Sequence, residues 1–259
     1  MKIVLVVIFG AVASFAIENK PFLDSSEQAS KIAWQMHWKD EFDDESTIDR
    51  NWISENRSPK HILSSRWREN IDVKDGFAVL TNRKESRGDR EWTSGSMTCK
   101  KKFKYGYFES KIKISAASGI NNSFWLYQWS STDSLNAFEI DIAETQYPNI
   151  VRTNIHDRGM SSGKKHSQKS KRYDSENANL YDDFHIYGLE WNENQLNFYF
   201  DGKLIRSEKN KICFQEAHLV LGSAVLKWAG ENSAAIDNTS MKIDYVRIWK
   251  VNDEIHSSH

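Results

Sequence analysis

The stretch Phe138-Glu139-Ile140-Asp141-Ile142-Ala143-Glu144 sets three carboxylates into an otherwise apolar segment near the middle of the chain. Ile140 and Ile142 alternate with Glu139 and Asp141, the period of two that marks a strand with one buried face. Acids crowded on one strand repel one another and add little to stability. Two carboxyls at a fixed separation, in environments that push their pKa values apart, are instead the equipment of glycoside hydrolysis. The bland alternative is a charged edge strand that resists aggregation.

On a regular strand Glu139, Asp141 and Ala143 share a face and Glu144 points to the other. Bringing Glu144 beside the first two requires one extra residue, a β-bulge, and bulges gather beside active sites. Without it Glu144 enters the apolar side and needs a buried partner. At a rise of roughly 3.3 Å per residue, the two Glu side chains must lean together to reach the about 5–5.5 Å carboxyl separation of a retaining glycosidase.

Working outward, 259 residues with 39% hydrophobic content support one large β domain or two small ones. A net charge of −1 argues against a general nucleic-acid binder. Ten Trp exceed ordinary core needs and point to flat apolar platforms for sugar rings, although a large sandwich also buries several. Residues 1–16 read as a signal peptide: Lys2, an apolar run from Ile3 to Val12, then Ser14-Phe15-Ala16 at the cut. The run is too short for a confident membrane span, so a secreted or periplasmic location without stable membrane insertion is expected. The two Cys, Cys99 and Cys213, leave pairing and separate core packing equally open.

Residues 17–33 read as a flexible leader, 34–250 as the folded domain and 251–259 as a tail. Asp75-Gly76 and Asp201-Gly202, each flanked by alternating apolar residues, are hairpin signals. Gly106 marks a further turn between alternating segments. Short strands recur through residues 34–250 without a long amphipathic helix, which implies an all-β sandwich or barrel. Residues 157–179, rich in Ser, Lys, Asn and Gly, read as a long exposed loop.

The chain resembles glycoside hydrolase family 16, the laminarinase, agarase, porphyranase and carrageenase group. Glu139-Ile140-Asp141-Ile142-Ala143-Glu144 matches the bulged E-x-D-x-x-E signature of that family. Trp38 to Phe42, Tyr105 to Glu109, Tyr187 to Trp191, Phe198 to Gly202 and Met241 to Trp249 follow in its expected order. The resemblance implies a β-jelly roll of two curved antiparallel sheets with a concave substrate cleft. It also implies Glu139 as nucleophile, Glu144 as general acid/base and Asp141 as their partner. The reaction implied is hydrolysis of a polysaccharide with retained configuration by a monomeric endo-acting enzyme. An algal β-galactan (agar, porphyran or carrageenan type) is the expected substrate, with a β-1,3- or β-1,3-1,4-glucan next. A non-catalytic carbohydrate-binding module on the same sandwich is the other class, against which the complete carboxylate set argues.

By the same resemblance Trp125, Trp228 and Trp67 are candidates for sugar stacking, and His156 for a cleft position near the acid/base. Asn122 and Arg90 are candidates for contacts to sugar hydroxyls or sulfate. Core filling competes for each Trp, and a simple hydrogen bond for His156. Glu41, Asp244 and the carbonyl of Gly76 occupy positions where relatives hold a structural calcium, an ion suited to oxygen ligands; the chemistry itself requires no cofactor. The basic run Lys164-Lys165-His166 through Lys169, Lys171 and Arg172 is either a solvated surface or a meeting point for a sulfated polymer.

Overall fold

Two turns set the first registers. Asp75 and Gly76 (φ 55 and 78) and Asp201 and Gly202 (φ 46 and 77) take left-handed backbone, the turn geometry whose twist suits tight hairpins. The computed structural model describes residues 20–24, 32–129, 136–159, 167–175 and 178–252. Residues 1–16, read above as a signal peptide, most of the expected leader, Lys164-Lys165-His166 and most of the expected tail lie outside the described residues.

The strands run in chain order as β1 (Trp34–Asp40), β2 (Trp52–Ser54), β3 (Ser64–Arg66), β4 (Ile71–Lys74), β5 (Phe77–Thr81) and β6 (Trp92–Ser94). Then come β7 (Ser96–Phe103), β8 (Gly106–Lys113), β9 (Ile120–Gln128), β10 (Phe138–Gln146), β11 (Ile150–Asp157) and β12 (Ser167–Asp174). The last are β13 (His185–Trp191), β14 (Gln195–Phe200), β15 (Lys203–Lys209), β16 (Ala217–Val225) and β17 (Ser240–Val251). A short helix, α1 (Ser46–Asn51), precedes β2.

Among the described residues these strands build a jelly-roll sandwich. One sheet has the order β15-β14-β13-β8-β17-β5-β4, with β1 also paired to β17. The other runs β12-β11-β10-β9-β16-β7-β2, and β3 and β6 form a separate short parallel pair. All pairings in the two large sheets are antiparallel. The alternating apolar residues meet between the sheets: Phe108, Leu189, Phe198 and Val246 from one, and Phe124, Leu126, Phe138, Ile140 and Leu221 from the other. Each is fully buried, a gain of about 1.5–3 kcal/mol per large side chain. Trp52, Trp191 and Trp249 are also fully buried, so these rings fill the interior. Cys99 and Cys213 are buried free thiols, and burial pushes Cys99 up to about 11, which keeps it protonated and inert.

Gly188 on β13 lies under the Tyr107 ring, where an added Cβ would stand 2.2 Å from Tyr107 Oη and 2.9 Å from Cζ. Gly188→Ala is therefore expected to destabilise the fold by about 1–3 kcal/mol, read as a lower melting temperature with an unchanged circular dichroism spectrum at 20 °C.

Two readings change. Residues 167–174, inside the expected loop, form strand β12, held by register from Ile150↔Asp174 to Asp157↔Ser167. All its residues but Tyr173 are exposed, so backbone pairing alone makes it a strand and no apolar period announces it. Residues 20–24, inside the expected flexible leader, are docked: Phe22 N donates to Glu109 Oε2 (2.8 Å) and Asp24 N to Gly202 O (3.0 Å). Leu23 packs beside Tyr107, Tyr199 and Trp249. Among the described residues no helix is long and apolar enough to cross a membrane.

Candidate active site

Strand β10 sends Phe138, Ile140 and Ile142 into the core and turns Glu139 and Asp141 to the opposite face of its sheet. Across β11, Glu139 stands opposite His156 and Asp141 opposite Asn154, and the next pair is Glu144 with Arg152. Ile142 and Ala143 thus share Thr153 as their single counterpart, and both belong to the buried core. This is a β-bulge. It restores Glu144 to the face of Glu139 and Asp141, where Ser123 of β9 is its other neighbour.

The three acids have different partners. Arg158 Nη2 donates to both Glu139 oxygens at 3.0 Å. His156 Nε2 lies 3.0 Å from Asp141 Oδ2 and 3.4 Å from Glu139 Oε1. Asn121 Nδ2 donates to Glu144 Oε1 at 2.9 Å. Burial, and after it the charge of Glu139, raises Asp141 well above the usual carboxylate range. Burial lowers His156, with Glu139 opposing. Glu144 is pushed up to about 8 by withdrawal from water and then by Asp141, while the Asn121 hydrogen bond pulls the other way. The charge of Asp141 is among the causes that raise Glu144, so these two carboxyls are linked in their titration.

Glu139, Asp141 and His156 offer ligand atoms within 4.8 Å of one another, close enough for a cation. The Arg158 guanidinium already supplies positive charge to both Glu139 oxygens, so a dication would compete with it. The cluster reads as a hydrogen-bonded set.

Of the remaining candidates, Trp125 stands opposite Asp141 and begins a row with Tyr127 and Trp129, successive ring centroids lying 5.2 and 4.9 Å apart. Trp129 is 50% exposed, with the Arg158 guanidinium 5.9 Å from its ring. Trp228 is 52% exposed on a one-turn helix over Lys227–Ala229. Trp67 has its ring covered by Arg87 at 3.9 Å, and its Nε1 donates to Ser65 Oγ. Arg90 is spent on the carbonyls of Pro59, Ile62 and Asp89, which fixes a loop and leaves it poorly placed to bind a sugar.

Asn122 requires correction. The pleat of β9 turns it inward, where it accepts from Ser115 N and donates to Thr145 O; its neighbour Asn121 faces Glu144. His156 sits beside Glu139 and Asp141 and is close enough to Glu144 for the two to act on each other electrostatically. Two of the three calcium candidates pair with basic side chains: Arg247 donates to both Glu41 oxygens (2.9 and 2.8 Å), and Lys111 Nζ to Asp244 (2.7 Å). A calcium ion would have to displace both. Asn121 and Arg158 were not foreseen. Asn121 differs from the chosen residue by one register step, and Arg158 follows β11 in a segment with no distinguishing pattern.

The model of the family described as glycosyl hydrolases family 16 matches residues 60–247. The chain belongs to that family. Among family 16 relatives and other similar proteins, it is 26% identical to the kappa-carrageenase of Pseudoalteromonas carrageenovora, over 83% of this chain and 64% of that one. It is 29% identical to the clotting factor G alpha subunit of Tachypleus tridentatus, over 84% of this chain and 34% of that one. The chain thus spans less than two-thirds of the length of either relative. The laminarinase catalytic domain of Thermotoga maritima superposes with a TM-score of 0.75 and 27% identity, covering 85% of this chain and 99% of that domain.

Proposed function

We propose that this family 16 chain is a secreted or periplasmic, endo-acting, retaining β-glycan hydrolase. The observation that carries the proposal is the bulge at Ile142-Ala143, which puts Glu144, a carboxyl that burial pushes up to about 8, on the same face as Glu139. In the first step a Glu139 oxygen bonds to the anomeric carbon as the bond to the leaving sugar breaks, and Glu144 gives its proton to the departing oxygen. In the second, water attacks the same carbon, Glu144 takes the water's proton, and the ester to Glu139 breaks. Two displacements at one carbon retain its configuration. Asp141 and His156 hold Glu139 in place through the shared imidazole contact. The three-ring row offers stacking surface for more than one sugar, which supports action within a polymer.

The substrate we propose is an algal β-galactan of the agar, porphyran or carrageenan type, in keeping with similarity to a kappa-carrageenase along 83% of the chain. The similarity to a laminarinase domain supports a β-1,3-glucan as the second reading. Incubation with agarose, porphyran, carrageenans, laminarin and lichenan decides between them. New reducing ends are expected on a galactan, with a ladder of oligomers rather than a single small product. Cleavage of laminarin alone would select the second reading, and retention on a polymer without cleavage would reduce the chain to a binding module.

A further inference from the structure

We infer that Arg152 and Arg172 form a binding site for a sulfate ester carried by the substrate, beside the acid/base residue Glu144. The inference builds on the hydrolase reading above.

It starts from the register of β12. Arg172, Ser170 and Gln168 stand opposite Arg152, Asn154 and His156 of β11, and those three stand opposite Glu144, Asp141 and Glu139. Residues directly opposite share a face, so Arg172 lies on the face of the carboxylates. The alternate residues turn away: Lys169 pairs with Glu208, Lys171 Nζ donates to Ile205 O (3.2 Å), and Tyr173 packs on Phe200. The basic run is therefore split by the pleat, and Arg172 is its member that joins Arg152.

Like charges set directly opposite destabilise a strand pair, and here two guanidinium groups are so placed. Neither is spent on the catalytic acids. Arg152 Nε donates to Gln146 Oε1 (3.3 Å), while Glu144 is held by Asn121. Arg172 donates through Nε to Asp174 Oδ1 (2.7 Å), with Nη2 at the same distance from that oxygen. Asp174 offsets one of the two charges. Both Nη atoms of Arg152 and Nη1 of Arg172 have no protein acceptor among the described residues. An anion between the two arginines would relieve their repulsion, and the oxygens of a sulfate ester suit a guanidinium fork.

The placement also orients the polymer. Strand spacing puts Arg152 and Arg172 about 5 and 10 Å to one side of β10, while Trp125, Tyr127 and Trp129 lie on the other. A polymer crossing the strands would stack on rings on one side of the scissile bond and carry its sulfate to the arginines on the other.

The test measures binding in the full chain carrying Glu144→Gln, using a kappa-carrageenan tetrasaccharide and its desulfated counterpart. The sulfated ligand is expected to bind at least tenfold more tightly. Arg152→Gln or Arg172→Gln should each weaken it about tenfold, and the preference should vanish when both are replaced. Arg172→Lys should keep part of it. Arg172 is exposed on an edge strand, so its replacement leaves the fold intact, as a melting curve would verify. No preference for the sulfated ligand, or a preference that survives in the folded double variant, overturns the inference. If the unaltered chain still releases reducing ends in that case, the hydrolase reading stands by itself. Arginine-dependent binding without cleavage of any polymer would instead keep the sulfate site and remove the hydrolase reading.

Discussion

Glu139→Ala is expected to lower kcat by about 10⁴-fold or more, because it removes the atom that forms the glycosyl-enzyme. Glu144→Ala is expected to cost about 10²–10⁴-fold, the usual contribution of a general acid or base. Added azide separates the two roles. In the Glu139 variant azide can occupy the space of the lost carboxyl and attack the anomeric carbon once, giving an α-glycosyl azide. In the Glu144 variant it attacks the ester on Glu139, giving the β-glycosyl azide without needing a general base. An activated aryl glycoside should be spared most of the Glu144→Ala loss in kcat/KM, since its leaving group needs no proton, while hydrolysis of the ester on Glu139 stays slow until azide is added. Exchanged anomers would exchange the assignments. Full activity in either variant would remove that residue from the chemistry. Asp141→Asn should lose less and give no azide product, because Asp141 touches Glu139 through a shared network with His156 and does not bond to sugar.

The second large effect is a dependence on pH that acts on activity and stability together. Glu144 is raised to about 8, so the proton needed by the leaving group is present below pH 8 and lost above it. The alkaline limb of kcat/KM should therefore fall near pH 8. For stability, a carboxyl whose folded pKa lies above its unfolded value adds stability that is complete below about pH 4.5 and disappears as pH rises through 8. Above pH 8 the charged Glu144 leaves the fold roughly 3–5 kcal/mol short of the stability it has in acid, with solvent access from the cleft setting that figure as an upper bound. Glu144→Gln cannot ionise. Its melting temperature should exceed that of the unaltered chain at pH 9 and converge with it at pH 5. Glu109, raised to about 7 chiefly by burial, titrates in both proteins and cancels from the comparison. Equal melting temperatures at both pH values would show that Glu144 carries no raised pKa.

What could be read from the chain follows from where its strands lie. Strands of the sandwich interior announce themselves: Phe138, Ile140 and Ile142 alternate because one face is buried, and Asp75-Gly76 and Asp201-Gly202 mark turns because few other pairs accept left-handed backbone at both positions. Edge strand β12 was hidden because nearly all of it faces solvent. In β9 the run Phe124-Trp125-Leu126-Tyr127 is apolar on both faces, so no pattern said which of Asn121 and Asn122 would meet Glu144. The role of Arg158 depends on a contact across nineteen positions to Glu139, and that of Arg247 on one across 206 to Glu41. Neither the spacing nor the composition of the chain carries such pairings. Trp52, Trp191 and Trp249 follow the other course open to a Trp-rich sandwich and fill its interior, and composition alone could not say which rings would do so.

The bulge in β10 also changes the parity of the strand. Before it, odd-numbered residues lie on the face turned away from the core; after it, even-numbered ones do. Glu144 is the first residue to benefit, and Gln146 is the second. Had the strand kept one parity, Thr145 would occupy the face of Glu139 and Gln146 would point the other way. As built, Gln146 presents its carbonyl oxygen to Arg152 Nε. A single inserted residue thus couples the position of Glu144 to the anchoring of Arg152 beside it, so the carboxyl and the neighbouring positive charge are positioned by the same irregularity of the backbone.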